Sequence, residues 1–431
     1  MRRGGGTVRS ARSEVRRPTS DLERWVMPNG LTVLYRRDTG FPLACATLLF
    51  PTGSHQESVD QAGLCSMTLD LLMQGTRRRD ARQIASMMES VGASMGTQAH
   101  EDYSEMGFIA PAAEMDRALG LMAEILIEPS FPGAEIVKEK SHVVASLNSR
   151  RDAIFNFAFD HLNGALYGQH PYGRPLEGRI ESVTSFRRQD FQAWHREHIV
   201  PAGVILSIIA PLPVKSMRAK LEKTVGRWKQ DATRSVLSKR NPPVDVLTQS
   251  VTRQFRSSFQ QAYLMVGWQV PSALHPDQIS LKVLNALLGG GMSSMLFITL
   301  RERLGLAYEV SSFYPTRLDT SQWVIYLGLP AEKLKTAGVK LNDLLEKLAK
   351  HGPSATELKQ AKMMIRGAFL MDRQSRRRQA WYAAWWEFLG RGPGYGEEFL
   401  KAIDAVSVKT VHALLKKILK QPRVTVTVVP K

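Results

Sequence analysis

The sequence predicts an α+β protein made of two homologous halves. Helical and strand-like apolar periodicities occur in both halves, the order of elements repeats once, and a Pro-Pro segment without an apolar stripe separates the copies. Each copy is predicted to form a mostly antiparallel sheet packed with helices. The two copies together are predicted to form half of a clamshell chamber. A length of 431 residues with 43% hydrophobic content suits more than one globular core.

The first copy begins with a hairpin at residues 24–37, where Pro-Asn-Gly forms the turn between alternating flanks. The later elements follow in order: a strand (44–54), a helix closed by Gly75 (61–76), a helix (81–91), two strands (93–111), a helix stopped by Pro129 (113–129), a long helical region (134–168), a helix (182–199) and a closing strand (203–211).

The second copy repeats this order. Its elements are a strand (260–271), a helix stopped by glycines (275–291), a helix (293–305), two strands (307–330), a helix (331–352), a long helical region (354–392), a helix (407–419) and a closing strand (423–430). Ala46 matches Ala262 and Val183 roughly matches Val406, so the offset drifts only slightly. An internal duplication is therefore predicted.

Four segments follow from these patterns. A basic disordered arm occupies residues 1–21, and an N-terminal domain residues 22–230. A linker with Pro-Pro turn chemistry occupies residues 231–246, and the C-terminal domain residues 247–431.

The chain is strongly basic, with 58 Lys and Arg against 40 Asp and Glu. Such a balance permits nucleic acid, an anionic membrane or an acidic protein as partner, but no nucleic-acid recognition module accompanies it. No apolar run is long enough to span a bilayer. The arm lacks the apolar region of a secretory signal, so we expect a cytoplasmic protein, with organellar and periplasmic locations as alternatives. Cys45 and Cys65, both in apolar segments, are predicted to be buried thiols.

The helix at 61–76 raises the functional question. Leu64, Met67, Leu71 and Leu72 recur at helical spacing. A strand, a turn and a helix ending in Gln-Gly-Thr is a place where some proteases keep a metal, yet the inward face carries Cys65, Ser66, Leu69 and Asp70.

Several motifs together point to one family. They are MPNGLTV (27–33), PTGSHQES (51–58), QGT (74–76), IEPSFP (127–132), HPYGRPLEG (170–178) and LLGGGMSSMLFITLRERLGLAYEVSS (287–312). With the duplicated architecture, they make the chain resemble the pitrilysin/insulinase family of zinc metallopeptidases, the inverzincins. The chain is most similar to the short two-domain members that pair two chains into one chamber.

The resemblance implies where zinc would lie. Family members that cleave peptides carry His-x-x-Glu-His on the opening helix and a further Glu downstream. The matching positions here are Ser66, Leu69, Asp70 and, on the downstream segment, Ser146. Two hydroxyls, one aliphatic chain and one carboxylate cannot replace two imidazoles and a carboxylate. We therefore expect no metal or other cofactor in this chain and zinc in a partner subunit.

Other potential ligands are sparse. His195 and His198 lie one helical turn apart and could share a metal, but they fall outside the family's metal position, and a surface pair is the expectation. Cys65 and Asp70 are predicted to point in different directions.

The second copy keeps a polar pair. Arg301 and Tyr308 have the spacing of the family's Arg/Tyr pair, which implies that they hold the substrate backbone and stabilise an oxyanion across the chamber from zinc. The structural alternative is that Arg301 pairs with Glu302 or Glu309 and Tyr308 belongs to the core. A phosphate loop at Gly289–Gly291 is disfavoured because it ends a helix. Trp381, Trp385 and Phe388 are predicted to form a core stripe, with a substrate platform as the alternative.

The main hypothesis is a non-catalytic subunit of a heterodimeric zinc peptidase. A homologous chain bearing the zinc motif would be the partner, and this chain would contribute chamber wall and peptide contacts. The alternatives are a peptidase with an unusual metal site and a structural assembly subunit without a proteolytic role.

Overall fold

The computed structural model describes residues 22–229 and 243–431. Within these ranges each half forms one sheet covered by helices, so the predicted α+β class is confirmed. The predicted arm at 1–21 lies outside the described residues, as do residues 231–242 of the predicted linker. No helix in the described ranges combines the length and apolar content that a bilayer crossing needs.

The first half has a six-stranded sheet of order β1-β2-β6-β3-β5-β4. Its strands are β1 (Leu22–Val26), β2 (Thr32–Arg37), β3 (Leu43–Phe50), β4 (Ser94–Ala99), β5 (Ser104–Pro111) and β6 (Ile205–Ala210). Its helices are α1 (Leu64–Leu72), α2 (Ala81–Ser90), α3 (Met115–Ile127), α4 (Gly133–Arg151), α5 (Ile154–Tyr167), α6 (Ile180–Ser185), α7 (Arg188–His198) and α8 (Val214–Lys223).

The second half has a five-stranded sheet of order β7-β11-β8-β10-β9. Its strands are β7 (Val251–Ser257), β8 (Ala262–Val270), β9 (Glu309–Phe313), β10 (Ser321–Leu329) and β11 (Arg423–Pro430). Its α-helices are α9 (Gln278–Gly289), α10 (Leu334–His351), α11 (Ala355–Asp372), α12 (Arg376–Phe388), α13 (Gly396–Ala405) and α14 (Val408–Leu419), with a π-helix at Phe297–Arg303.

The two sheets repeat one topology. In each described sheet a single neighbouring pair is parallel, β2 with β6 and β7 with β11, and the remaining neighbours are antiparallel. Strands β2, β6, β3, β5 and β4 thus correspond to β7, β11, β8, β10 and β9. The repeat includes β7, which the sequence prediction did not find.

The halves interlock through one helix each. Helix α5 of the first half packs on β8 and β11 of the second sheet, and α12 of the second half packs on β3 and β6 of the first. Leu162 and Leu166 therefore share a core with Tyr263 and Met265. This exchange makes each sheet depend on the other half for part of its apolar cover.

The predicted helices differ from the observed ones in several places, and the predicted helix at 182–199 is two helices, α6 and α7. Each long helical region breaks in two, and the second break is capped by Ser375, whose side chain accepts from the Arg378 backbone N–H. Helices α8 and α13 were not predicted. Both cysteines are buried free thiols, as predicted.

Candidate functional site

Helix α1 is fixed at its start by a buried carboxylate. Glu57, in the turn after β3, accepts hydrogen bonds from the backbone N–H groups of Gly63 (3.0 Å) and Cys65 (2.7 Å). Arg174 donates in turn to the Glu57 carbonyl oxygen at 2.8 Å. These bonds satisfy backbone donors that a helix N-terminus otherwise leaves unpaired.

The loop from the 170–178 motif lies directly on the start of α1. Gly63 and Gly178 have φ values of 93° and 90°, which favour glycine. A Cβ on Gly178 would lie 2.1 Å from the carbonyl oxygen of Ala62, and one on Gly63 would lie 2.4 Å from that of Glu177. These two glycines therefore allow the 170–178 loop to pack closely against the start of α1.

The end of α1 is anchored by the Gln-Gly-Thr motif. The Thr76 hydroxyl donates to Glu124 at 2.6 Å and accepts from the backbone N–H groups of Arg78 and Arg79. Both ends of the helix are thus held by hydrogen bonds that involve motif residues.

The four positions of the family's zinc site are placed on α1 and α4. Ser66 and Asp70 are partly exposed, Ser146 is exposed, and Leu69 is buried with 1% exposure. Burial, and next the nearby Glu139, raise the pKa of Asp70 to about 6, and His142 opposes this rise. This donor set does not fit zinc, because it offers one carboxylate, two hydroxyls and an aliphatic chain.

Neighbouring side chains do not complete a zinc set. His142 Nδ1 lies 3.4 Å from Glu139 on the same helix, α4. No group of three or more His, Cys, Asp or Glu residues suited to a metal occurs in the described ranges. The structure therefore provides no ligand set there for the unusual metal site considered above.

His195 and His198 have separate structural partners. His195 Nε2 lies 2.8 Å from the carbonyl oxygen of Leu126, and the His198 ring lies 3.9 Å from the Trp194 ring. Burial lowers the pKa of both imidazoles. Both are partly buried, so the expected surface pair was wrong.

A free strand edge runs beside α1. β4 ends the first sheet and pairs with β5 on one side only. The Thr97 hydroxyl on β4 donates to the carbonyl oxygen of Leu69 at 3.1 Å, so the edge lies against the turn that carries the degenerate positions. Its unpaired backbone groups can accept another strand.

In the second half, Arg301 and Tyr308 flank the edge strand β9. Arg301 lies in the π-helix, exposed, with its guanidinium 4.8 Å from the Phe297 ring centroid. Tyr308 precedes β9 and is 41% exposed. Burial, and next Glu309, raise the pKa of Tyr308.

Neither side chain has the structural partners weighed above. In the part of the chain that the structure describes, Arg301 forms no ion pair with Glu302 or Glu309, and the Tyr308 hydroxyl has no hydrogen-bond partner. Glu309 instead accepts from the Tyr263 hydroxyl at 3.1 Å. The packing of the second half therefore does not account for either polar group.

The glycine turn after α9 supports β9. Ser311 donates to the Gly289 carbonyl oxygen at 2.7 Å. A Cβ on Gly289 would lie 2.1 Å from the Ser312 backbone nitrogen. The close approach gives this glycine a packing role.

The fold defines the class: a chain of two α+β halves that share one sheet topology. Residues 32–179 match the family model described as insulinase (peptidase family M16), and residues 185–365 match the one described as peptidase M16 inactive domain. The two ranges span most of the chain, which belongs to the M16 peptidase family. The predicted resemblance is confirmed.

Curated relatives are named as zinc proteases. The chain is 24% identical over 397 residues to the uncharacterized zinc protease YmxG of Bacillus subtilis, covering 92% of this chain and 95% of YmxG. It is 24% identical over 408 residues to an uncharacterized zinc protease of Mycobacterium leprae, covering 92% and 89%.

Solved structures share the fold. The peptidase M16 inactive domain from Pseudomonas fluorescens has a TM-score of 0.87 at 22% identity, covering 96% of this chain and 99% of that one. A protease from Helicobacter pylori has a TM-score of 0.88 at 20% identity, covering 96% and 100%. The periplasmic protease PqqL of Escherichia coli has a TM-score of 0.82 at 14% identity, and 46% of its chain is covered.

Proposed function

We propose that this chain is a non-catalytic subunit of a heterodimeric zinc peptidase. A homologous chain with the His-x-x-Glu-His motif binds the zinc, and this chain lends the peptide-binding pair Arg301 and Tyr308. The observation that carries the proposal is their contrast with Ser66, Leu69 and Asp70. These three side chains do not form a zinc site, whereas Arg301 and Tyr308 are exposed and, within the described ranges, form no ion pair or side-chain hydrogen bond.

The anchoring of α1 supports a retained scaffold. Glu57, Gly178 and Thr76 hold the helix at both ends although it carries no metal ligands. In this proposal α1 binds no metal, and its role is to form part of the chamber wall and to pack the first half.

The pair supports a role in peptide binding. A guanidinium supplies fixed donors and a phenol supplies one more, which suits a peptide carbonyl that gains charge during cleavage. In the proposed heterodimer these donors face the zinc of the partner, and the peptide adds a strand to a free sheet edge.

An apolar surface on α11 and after α9 supports binding of varied side chains. Met363, Leu370 and Met371 are exposed on α11, the counterpart of α4, and Met292 is exposed beyond the glycine turn. Met364 on the same helix lies against that turn. Methionine adapts its shape to different partners, so this surface suits peptides without a strict sequence.

Copurification tests the proposal. The tagged full chain should bring down a homologous chain that carries the zinc motif, and each chain alone should leave peptides intact while the mixture cleaves them. A chain that purifies alone and cleaves peptides would support the unusual metal site. Copurification with an assembly that lacks any zinc peptidase would support the structural role.

A further inference from the structure

A cavity of about 310 Å³ lies between the two halves. Residues 100–103, at the turn between β4 and β5, supply one wall, and α9, α11, α12 and the loop before β10 supply the others. The volume is in the range of small-molecule sites. Neither α1 nor the pair of Arg301 and Tyr308 lines it, so the cavity is separate from the site described above.

Lys282 of α9 brings an unpaired ammonium to this cavity. Its Nζ donates to the Thr316 hydroxyl at 2.9 Å and lies 5.7 Å from the Tyr314 ring centroid. Within the described ranges it has no ion pair, which leaves two of its three donors unfilled. Burial lowers the pKa of Lys282 to about 8, so the side chain is still largely charged at neutral pH.

The acidic side chains of the cavity are already engaged elsewhere. Glu101 pairs with the buried Arg317 at 3.1 Å. Asp102 accepts from the Tyr172 hydroxyl and, at 2.8 Å, from the backbone N–H of Leu318. Within the described ranges Lys282 is thus a partly buried charge without a counter-ion, which a bound anion would supply.

Part of the cavity wall is aromatic. The rings of Trp381 and Trp385 stack with their centroids 5.6 Å apart. The ring centroid of Trp385 lies 5.1 Å from that of Tyr103 in the first half. Arg378 lies 4.3 Å from the Trp381 ring but is bound by Asp372, so its charge is already neutralised. Such a wall favours a flat ring packed against it.

We propose that this cavity binds a small aromatic carboxylate, with the carboxylate on the Lys282 ammonium and the ring against Trp381 and Trp385. The ligand would touch residues of both halves. Binding would therefore stabilise their mutual arrangement as well as fill the cavity.

Calorimetry on the full-length chain tests this proposal with 3-phenylpropionate as the probe. The neutral amide of the same acid isolates the contribution of charge, and butanoate isolates that of the ring. We expect saturable binding of the acid at one site, at least about tenfold weaker binding of both comparison molecules, and quenching of tryptophan fluorescence by the acid.

Variants locate the site. Lys282→Met should weaken binding of 3-phenylpropionate at least about tenfold, whereas Lys335→Met, at an exposed position on α10, should not change it. The comparison of acid and amide on the wild-type chain needs no variant and decides the matter if Lys282→Met does not fold. Absence of saturable binding, equal affinity for acid and amide, equal affinity for butanoate, or an unchanged Lys282→Met variant would overturn the proposal.

Discussion

The two halves place different chemistry beside the free edges of their sheets. In the first half, α1 lies against β4 with a buried Leu69 and a partly buried Asp70, and hydrogen bonds hold both of its ends. In the second half, the π-helix and the residue before β9 present Arg301 and Tyr308, whose exposed side chains form no ion pair or hydrogen bond within the described ranges, although Arg301 lies over the Phe297 ring. In the proposed function the two regions contribute differently: buried, hydrogen-bonded groups hold the fold of the first, and exposed polar groups of the second bind the peptide.

The largest expected effect concerns the second region. In the reconstituted heterodimer, Arg301→Ala should lower kcat/KM roughly a hundredfold or more, because a donor to a developing oxyanion contributes about 3–4 kcal/mol. Tyr308→Phe should also lower kcat/KM. Zinc content and assembly should not change. Steady-state kinetics measures the effect and separates a loss in kcat from a rise in KM.

Arg303→Ala is the matched control for that experiment. Arg303 lies exposed in the same π-helix, so its loss tests whether charge alone matters. Equal losses from Arg301→Ala and Arg303→Ala would point to a general electrostatic effect, and wild-type kinetics in a variant with Arg301 and Tyr308 both changed would make the pair structural.

A smaller effect is expected at the start of α1. Glu57→Ala should lower the free energy of unfolding by about 2–3 kcal/mol, because the buried N–H groups of Gly63 and Cys65 lose their acceptor. Denaturant unfolding measures the change, with Glu346→Ala at an exposed position as the control. Equal stability of the two variants would remove the argument that α1 is anchored by this carboxylate.

The smallest expected effect concerns Asp70. Its pKa in the folded chain is about 6, above the ordinary value of 3.8, so ionisation of this side chain disfavours the folded state. The cost is absent below about pH 4, grows as the pH rises to about 6 and is complete above it. Asp70→Asn should therefore raise the free energy of unfolding by about 1–2 kcal/mol at pH 8, less than the full pKa shift implies because the side chain is partly exposed to solvent, and leave it unchanged near pH 4.

Asp60→Asn, at an exposed position in the turn before α1, is the control for this pH dependence. A stabilisation by Asp70→Asn that is independent of pH, or no stabilisation at pH 8, would show that Asp70 carries no such cost in the first region.

Local patterns in the sequence were enough to predict much of the fold. The spacing of Leu64, Met67 and Leu71 predicted α1, and the Pro-Asn-Gly turn predicted the hairpin of β1 and β2. Strand β7 escaped because it lies at a sheet edge and carries Arg253 and Arg256 among few apolar residues. Strand propensity predicts such an edge strand poorly, because the residues it accepts depend on which of its sides is buried.

The site depends on contacts that the sequence does not reveal. The spacing of Arg301 and Tyr308 suggested a pair, but only the structure shows that neither side chain forms an ion pair or hydrogen bond in the described ranges, although Arg301 lies over the Phe297 ring. The cavity of Lys282 escaped altogether, because its walls come from segments that are far apart in the chain. Trp381 and Trp385 were predicted as core, and Trp385 does lie in the apolar core of the second half with Trp381 packed against it. Both also line the cavity, which helical periodicity alone does not reveal.

Zinc stoichiometry tests the central claim most directly, namely that the metal belongs to the partner and not to α1. Elemental analysis of the purified chain should find well under one zinc per molecule, and analysis of the purified heterodimer should find one zinc per pair of chains. A full equivalent of zinc in the chain alone, together with peptidase activity that a chelator abolishes, would contradict the account.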